Sequence, residues 1–507
     1  MRRDWGGTGS NGDDRTRCAV AESGISGLAR AGPACYAKRM SFPRIAAILP
    51  LLALSAPIAA RSISEGSLAR HIDVLASDAY EGRKPGTPGA LKAITYIAGA
   101  FRQAGLSPAA ADGSWYQPVQ FVERIPARST ARFGGREEAG IALTGRIADA
   151  SIADARVVFA GYGLPSDPAE LSQADVRGAV VLIRAGAPQG VEKPLRMAER
   201  IKAMVARGAV AVITILPETA KWADARPAAT RPTTALADTP RALIQGMMSQ
   251  DAFARIAAGP VRSDLGRASL DVATTLRPFT SWNVIGRRAG TSAHGETVLF
   301  TGHWDHLGLC GPEGAADRIC NGAVDNASGI ASLIETARAL GEGAKPVRDE
   351  LFIATTGEEM GLLGMDAWAN APTVPLDRVV AAINVDTVAI APRGMPVAIV
   401  GRGLTRLDPI VDATARRLGR KVDADLEANA FIDRQDGAVL VRRGVPAVMI
   451  GGSFSDLKRL EAFLGSVYHK PSDNPGKGVV LGGAAEDADL TVAVARTLVD
   501  PAAYSAR

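Results

Sequence analysis

The sequence lacks the surplus of positive charge that is typical of nucleic-acid-binding proteins. Its formal net charge is +5 at pH 7 over 507 residues. Residues 1–60 contain eight Lys or Arg and four Asp or Glu, so the remainder of the chain has a formal charge of only +1. A charge this small is no footprint of nucleic-acid binding, and we expect no nucleic-acid partner.

Long apolar runs are also missing. Residues 45–56 are largely apolar, but this run is shorter than the roughly 20 residues that cross a bilayer as a helix. Arg44 precedes the run and the small residues Ala59 and Ala60 follow it, which is typical of a signal peptide over residues 40–60. We therefore predict a periplasmic or secreted protein with no permanent membrane span after processing.

Cysteine is scarce, with four copies in the chain. Cys18 and Cys35 lie in residues 1–39, which have no periodic apolar pattern and are predicted to form an unstructured extension. Cys310 and Cys320 remain after export, and a lone close pair in an oxidising compartment is typical of a disulfide. Zinc ligation by this pair would need a shorter spacing and further thiols or imidazoles nearby.

The composition and length indicate a folded protein of two units. Apolar residues make up 47% of the chain, which disfavours a fibrous or mostly disordered protein, and 507 residues exceed what one core usually organises. Residues 128–276 consist of short β-type runs around one helical stretch, and predict a small inserted α/β domain. Residues 61–127 and 277–507 would then form one larger domain.

Strands and helices alternate in the C-terminal half, which predicts the α/β class with a mostly parallel mixed sheet flanked by helices. A helix is predicted over residues 327–340, where apolar residues recur at the three-to-four spacing of one buried face. The predicted strands of this sheet lie at residues 297–302, 350–355, 379–385, 397–400 and 445–450.

Polar side chains follow the ends of these strands. Because ligands bind outside the carboxyl ends of strands in open α/β sheets, we expect these side chains to meet in one place. They are His303 and Asp305 after the first strand, Asp325 before the helix, Glu358 and Glu359 after the second strand, Asp386 after the third, and Tyr468 with His469 near the C-terminus.

These residue types suit a site for two zinc ions. Imidazole and carboxylate are suitable zinc ligands, and each ion needs a nitrogen, a carboxylate and a share of a bridging carboxylate. Two ions about 3.5–4 Å apart can activate a water and polarise a carbonyl oxygen together. The adjacent pair Glu358 and Glu359 suggests that one carboxylate binds metal while the other transfers a proton. Asp305 could accept the second N–H of His303 and fix its tautomer.

The ordered set His-x-Asp, Asp-Asn, Glu-Glu, Asp and Tyr-His resembles the co-catalytic di-zinc aminopeptidase family. Its wider relatives include glutamate carboxypeptidase-like enzymes, glutaminyl cyclases and the catalytically inactive transferrin receptor. Residues 75–89 look like the entry motif of the family. Residues 128–276 resemble the protease-associated domain that is often inserted in it, above all at 159–163 and 175–178. The resemblance covers nearly all of residues 65–490.

The resemblance implies a zinc ligand set for this chain. The implied ligands are His303 and Asp386 on one zinc ion, Glu359 and His469 on the other, and Asp325 as the bridge between the two ions.

The resemblance also implies the catalytic residues. Glu358 matches the general base that activates the metal-bridging water, and Tyr468 matches a residue that stabilises the oxyanion in some members. A non-proline cis bond follows the bridging aspartate in the family, so one is expected between Asp325 and Asn326. The stretch with the two late cysteines looks longer than in short family members, and its position predicts a stapled flap at the cleft.

Several further residues are weighed and set aside. His71, His294 and His306 are expected to be ordinary core or surface histidines rather than ligands. Asp436 occupies a place where the family often has a cleft residue, and its role is left open.

The sequence therefore predicts a zinc-dependent exopeptidase with two Zn²⁺ per chain and peptide substrates, most simply an aminopeptidase. Three alternatives stay open. A glutamate-type carboxypeptidase would present clustered arginines to a substrate carboxylate, a glutaminyl cyclase would hold a single zinc ion, and a receptor-like binding protein would have lost the chemistry. An intact acidic ligand set disfavours the last, because clustered buried carboxylates without metal are costly. The oligomeric state is not predicted.

Overall fold

One 15-stranded mixed sheet runs through the protein. We describe it from a computed structural model over residues 62–164, 176–191, 195–256, 264–476 and 478–506. The predicted signal peptide at residues 40–60, the extension at 1–39 and the two N-terminal cysteines lie outside these residues.

The helices cover the faces of the sheet. In chain order they are α1 Glu65–Leu75, α2 Pro88–Gln103, α3 Met197–Ala206, α4 Trp222–Thr230, α5 Gln250–Ile256, α6 Ser328–Gly341, α7 Leu363–Asn370, α8 Asp408–Arg417, α9 Gly437–Arg442, α10 Leu457–Ser466 and α11 Leu481–Leu498. Short 3-10 segments lie at Asp78–Arg83, Leu376–Arg378 and Glu427–Arg434.

The strands belong to the large sheet except for one small hairpin, β12 with β13. In chain order they are β1 Ser107–Pro108, β2 Tyr116–Phe133, β3 Arg136–Glu137, β4 Ile141–Gly145, β5 Asp149–Phe159, β6 Val180–Arg184, β7 Ala211–Ile215, β8 Thr233–Leu236, β9 Ile244–Met248, β10 Asp264–Arg288, β11 Thr297–His303, β12 Gly308–Leu309, β13 Ile319–Cys320, β14 Asp349–Thr355, β15 Val379–Asn384, β16 Ala398–Val400 and β17 Ala447–Gly451.

The part of the sheet that carries the predicted site has the order β16-β17-β15-β11-β14-β10. Strands β17, β15, β11 and β14 are parallel, while β16 and β10 are antiparallel edges of this group. The prediction of a mostly parallel mixed sheet flanked by helices is therefore confirmed.

The central strands are buried on both faces. All seven residues of β11 are buried, and neighbours along it enter different cores: Phe300 packs with α2, α6 and α11, whereas Leu299 packs with α7 and α9. A strand covered on both sides is a continuous apolar run, which is why its pattern could be read from the sequence. The buried side of α6 is likewise the apolar face with the predicted spacing.

Residues 128–276 form a second region of the same sheet, in the order β5-β6-β7-β9-β4. Its apolar side chains form two cores of their own, one on each side of this region. The predicted boundaries fall inside two long antiparallel strands, because β2 and β10 pair with each other from Tyr116 to Phe133 and continue into the larger region. The assignment of this region as a protease-associated domain remains a prediction.

The predicted elements of the larger region lie within a few residues of the observed ones. The helix expected at 327–340 is α6, and the strand expected at 445–450 is β17, which begins two residues later. No helix in the described part of the chain combines the length and hydropathy needed to cross a bilayer.

Candidate metal centre

The parallel register of three strands brings most of the predicted site together. His303 ends β11 and pairs with Thr355, the last residue of β14, so Glu358 and Glu359 follow only a few residues beyond that level. On the other side of β11, Thr301 pairs with Asn384, and Asp386 lies two residues further on. Because β11, β14 and β15 end at nearly the same level, the side chains of His303, Glu358, Glu359 and Asp386 lie at one edge of the sheet.

The first candidate ion position lies between His303, Asp325 and Asp386. The Nε2 atom of His303 is 3.2 Å from Oδ1 of Asp325 and 3.6 Å from Oδ1 of Asp386. Two ligands of one tetrahedral zinc ion, each about 2.0–2.2 Å from it, are separated by roughly 3.3–3.6 Å. The three side chains are buried, and their ligand atoms lie within 4.8 Å of one another, so they fit one cation.

The second candidate position lies on the other side of Asp325. The Nε2 atom of His469 is 3.3 Å from Oδ2 of Asp325 and 2.9 Å from Oε2 of Glu359. This nitrogen is buried, and both carboxylate oxygens lie within 3.3 Å of it. A buried imidazole nitrogen that faces two carboxylate oxygens in this way suits a cation that all three would share.

His306, set aside from the sequence, also lies in this second position. Its side chain is fully buried, and its Nδ1 atom is 2.6 Å from Oε1 of Glu359 and 3.9 Å from Oδ2 of Asp325. His306, Asp325 and Glu359 form a second group whose ligand atoms lie within 4.8 Å of one another. His306 was expected to be an ordinary core or surface histidine. The structure instead places it beside two candidate metal ligands.

The electrostatics of the site are those of a carboxylate cluster that needs cations. Burial alone would lower the pKa of His303, but the charges of Glu358 and Asp386 raise that pKa well above its ordinary value. Burial would raise the pKa of Asp325, yet hydrogen bonds from His303 and His469 hold it well below the ordinary value. The buried carboxylates thus draw positive charge into the site.

Asp305 holds two neighbours, though not in the way predicted. The Nδ1 atom of His303 lies 3.2 Å from the backbone carbonyl of Asp305, whereas the Asp305 carboxylate is 3.8 Å away from it. The carboxylate instead accepts the backbone N–H of Glu358 at 3.2 Å. A donor bond from Nδ1 leaves Nε2 free to bind metal, so the tautomer is fixed by the main chain while the side chain holds the Glu358 turn.

Glu358 lines the cleft, partly exposed, with its carboxylate oxygen 3.9 Å from Nε2 of His303. Burial raises the pKa of this carboxyl, His303 opposes the rise, and the charges of Asp386 and Glu359 add to it. A raised pKa is what a carboxylate needs to accept a proton and release it again near neutral pH.

The loop before α6 holds Asp325 between the two candidate positions. The peptide bond between Asp325 and Asn326 is cis, as the resemblance implied. Asp473 accepts the backbone N–H of Val324 at 2.9 Å and that of Asp325 at 3.1 Å. The Asn326 side chain donates to the carbonyl of Val385 at 3.1 Å, which ties this loop to the strand end that carries the neighbouring aspartate.

Tyr468 and His469 enter the site from the end of α10. Their rings stack with centroids 3.6 Å apart, and His469 has a φ of 60°, a left-handed conformation that is uncommon for a non-glycine residue and often marks functional sites. Burial raises the pKa of the Tyr468 phenol, and the charge of Asp325 raises it further, so the hydroxyl stays protonated as a hydrogen-bond donor.

The cysteine pair forms the predicted disulfide, between Cys310 and Cys320. It closes the small hairpin of β12 and β13. The Sγ atom of Cys310 lies 3.5 Å from the backbone carbonyl of His469. The stapled loop therefore packs against the segment that carries a predicted ligand.

The remaining candidates lie outside the cluster. Asp436 is buried and accepts a hydrogen bond from the Thr355 hydroxyl, so it supports the end of β14. His71 lies against Tyr96 and Glu335, and His294 is exposed.

A pocket opens beside the candidate metal positions. Its lining includes His303, Asp325, Glu358, Asp386 and Tyr468. The rest of its lining is mainly apolar and comprises Phe431, Met449, Phe454, Leu460 and Leu464, together with Thr387 and with Arg434 and Gln435 at the end of a 3-10 segment.

Two residues beside the cluster were not among the predicted site residues: His306 was considered but not predicted to bind metal, and Asp473 was not considered. His306 follows His303 by three residues just beyond a strand end, and this spacing was the one available signal. Asp473 offered none, because its role depends on a long loop folding back to the turn at Asp325.

Comparisons with known proteins give a family match over part of the chain and a shared fold. Residues 283–489 match the model of peptidase family M28. An aminopeptidase from Aneurinibacillus sp. strain AM-1 has the same fold, with 20% identity, a TM-score of 0.53, and coverage of 86% of this chain and 93% of that one. No curated protein sequence matches the chain.

Two further solved structures align at lower similarity. A zinc aminopeptidase from Bacillus subtilis has 19% identity, a TM-score of 0.47, and coverage of 88% of this chain and 97% of that one. A glutaminyl cyclase from Porphyromonas gingivalis has 14% identity, a TM-score of 0.41, and coverage of 86% and 97%. The match to the peptidase family M28 model, over residues 283–489, thus spans the whole predicted ligand set.

Proposed function

We propose that this protein is a zinc-dependent exopeptidase with two zinc ions per chain, and that it acts as an aminopeptidase on peptides in the periplasm or outside the cell. The observation that carries the proposal is the position of Asp325. Its two carboxylate oxygens face different histidines, with Oδ1 3.2 Å from His303 Nε2 and Oδ2 3.3 Å from His469 Nε2. A carboxylate shared in this way suits a bridge between two ions.

The other predicted ligands fall into two groups, one on each side of Asp325. His303 and Asp386 would hold one ion, and His469 and Glu359 the other. His306 lies at the outer oxygen of Glu359, 2.6 Å away, and in this arrangement it orients a ligand rather than binding zinc. Every donor atom is an imidazole nitrogen or a carboxylate oxygen, which suits zinc.

Zinc bound there would polarise the scissile carbonyl and lower the pKa of the attacking water. Glu358 takes a proton from this water as its oxygen bonds to the carbonyl carbon. The same carboxyl then gives the proton to the nitrogen of the leaving amine as the C–N bond breaks. Asp305 supports this transfer because it holds the Glu358 backbone N–H at 3.2 Å.

Tyr468 stands at the wall of the same pocket with a protonated phenol. A hydroxyl in this place can donate a hydrogen bond to the developing oxyanion, which strengthens as charge builds up on that oxygen. Its ring is held by stacking on His469, so this donor is oriented before substrate binds.

The test combines metal analysis with a substrate screen. We expect about two zinc ions per chain, turnover of aminoacyl chromogenic substrates, and loss of turnover by several orders of magnitude in Glu358→Gln with both ions retained. Glu137→Gln, which removes an exposed carboxylate on β3, is the matched control and should keep full turnover.

Other outcomes would replace the proposal. Cleavage restricted to carboxy-terminal substrates would make the protein a carboxypeptidase. One zinc ion with cyclisation of N-terminal glutamine would make it a glutaminyl cyclase, and two ions without any turnover would favour a binding protein. Unchanged turnover in Glu358→Gln would remove that residue from its role.

A further inference from the structure

Arg434 lines the pocket that contains the candidate metal positions, and it is the one arginine among the described residues of that lining. Its guanidinium carbon lies 5.6 Å from the ring centroid of Phe431 and 5.9 Å from that of Tyr468. The Tyr468 ring also stacks on His469, a predicted zinc ligand. The same ring therefore contacts both the Arg434 guanidinium and this ligand.

The guanidinium has no acidic partner within the described part of the chain. Other arginines nearby are engaged: Arg402 lies 2.9 Å from the carboxylate of Asp412, and Arg443 donates to Asn370 at 2.6 Å. The Arg434 side chain is exposed at the pocket, so its donors are available to a ligand.

The pocket therefore presents both signs of charge. Its lining combines the carboxylates of Asp325, Glu358 and Asp386, a group of apolar side chains, and the exposed guanidinium of Arg434. The planar fork of a guanidinium binds a carboxylate through two parallel hydrogen bonds. The two aromatic faces beside it favour a cation and restrict its movement, which lowers the entropy lost on binding.

We infer that Arg434 binds a carboxylate of the substrate, and that the enzyme therefore favours short peptides in which a carboxylate lies close to the scissile bond. This inference rests on the proposed function. The carboxylate comes either from the C-terminus of a dipeptide or from an acidic side chain at the second position. Both present the same group to the guanidinium.

Kinetics with matched peptides test the inference. Leucyl-leucine and leucyl-leucinamide differ only in the C-terminal carboxylate. Leucyl-glutamic acid α-amide and leucyl-glutamine amide differ only in the side-chain carboxylate. We expect kcat/KM to be about tenfold or more higher for the acid of at least one pair, and Arg434→Gln to reduce that ratio to about one.

The pair that shows the preference identifies the source of the carboxylate. Arg434→Lys should retain only part of the ratio, because an ammonium lacks the fork. Arg417→Gln, which removes an exposed arginine on α8, is the matched control and should keep the whole ratio. Equal kcat/KM within both pairs for the natural protein, or a ratio that survives in Arg434→Gln, would overturn the inference.

Calorimetric binding separates this inference from the proposed function. Leucyl-leucine should bind the zinc-loaded Glu358→Gln protein about tenfold more tightly than leucyl-leucinamide does, or show the corresponding difference for the side-chain pair, and the added Arg434→Gln change should remove the difference. If no peptide is hydrolysed but this difference is found, the proposed function fails and the carboxylate site stands. Equal binding, or no binding of either member, rejects the site.

Discussion

The Nδ1 atom of His306 lies 2.6 Å from Oε1 of Glu359, while Nε2 of His469 lies 2.9 Å from the other oxygen of the same carboxylate. Burial would raise the pKa of Glu359, as would the charge of Asp325, but hydrogen bonds from His306 and His469 lower it. The Glu359 carboxylate is thus held ionised, with one histidine at each oxygen. An ionised carboxylate is the form that binds a cation.

The two histidines should differ in their effect on zinc. His469→Gln should leave about one zinc ion per chain, because a direct ligand is lost. His306→Gln should retain both ions at saturation but weaken the second by about 10–100-fold, the usual cost of losing a partner that orients a ligand. Zinc titration against a chromogenic chelator measures both. If His306→Gln loses an ion and His469→Gln keeps two, the ligand assignments must be exchanged.

Arg83 should be indispensable for the stability of the site loops. It is buried with a φ of 49°, and burial lowers the pKa of its guanidinium to about 10. The guanidinium donates to four backbone carbonyls, which are those of Leu75, Trp304, Asn321 and Gly322, at 2.6–2.9 Å. It therefore ties the entry segment at residues 75–89 to the loop after β11, which contains Trp304, and to the loop after β13, which contains Asn321 and Gly322.

We expect Arg83→Lys to lower the free energy of unfolding by about 2–5 kcal/mol, because an ammonium cannot reach all four carbonyls and each buried acceptor left unpaired costs about 1–3 kcal/mol. Urea denaturation measures the change. Arg70→Lys, at an exposed position of α1, should shift the free energy of unfolding by less than about 0.5 kcal/mol. Equal small effects in the two variants would show that the charge of Arg83 suffices without its fork.

The disulfide should support the His469 segment. Cys310→Ser with Cys320→Ser removes a short crosslink, which is worth about 3 kcal/mol at most in the chain-entropy model, and loosens a loop whose Cys310 sulfur contacts the His469 carbonyl. We expect weaker binding of the second zinc ion and little change at the first. A stepwise zinc titration tests this. Identical titrations for the double variant and the natural protein would contradict the prediction.

Glu335 should make the stability of the protein depend on acid pH. Burial would raise its pKa, but hydrogen bonds from His71 and Arg338 outweigh this and lower the pKa to about 2. A depressed pKa stabilises the folded state above the unfolded-state pKa of about 4.3, and this stabilisation is lost as the pH falls towards 2.

Glu335→Gln should therefore destabilise the protein at pH 7, and the difference from the natural protein should shrink by roughly half or more at pH 3. Urea denaturation of the metal-free proteins at both pH values measures this. Glu342→Gln, at an exposed position paired with the same Arg338, is the control and should have a small effect at either pH. If the loss of unfolding free energy in Glu335→Gln is the same at both pH values, the loss comes from the shape of the side chain and not from its ionisation.

Much of the larger region was predictable because local pattern and burial coincide there. Strand β11 and helix α6 were placed almost to the residue, since a run buried on both faces and a single apolar stripe each leave a clear signal. The boundaries of residues 128–276 were less predictable. They fall within β2 and β10, whose pairing joins segments more than 100 residues apart.

The sequence by itself determined which chemical groups are available and that most of them stand at strand ends, because parallel strands place their carboxyl ends at one edge of the sheet. Only the tertiary structure decided how the groups share the space. It turned the two oxygens of Asp325 towards different histidines, drew His306 to Glu359, and gave the His303 N–H to a backbone carbonyl instead of the Asp305 carboxylate. Such choices depend on distances of a few tenths of an ångström between segments far apart in the chain, and no local pattern encodes them.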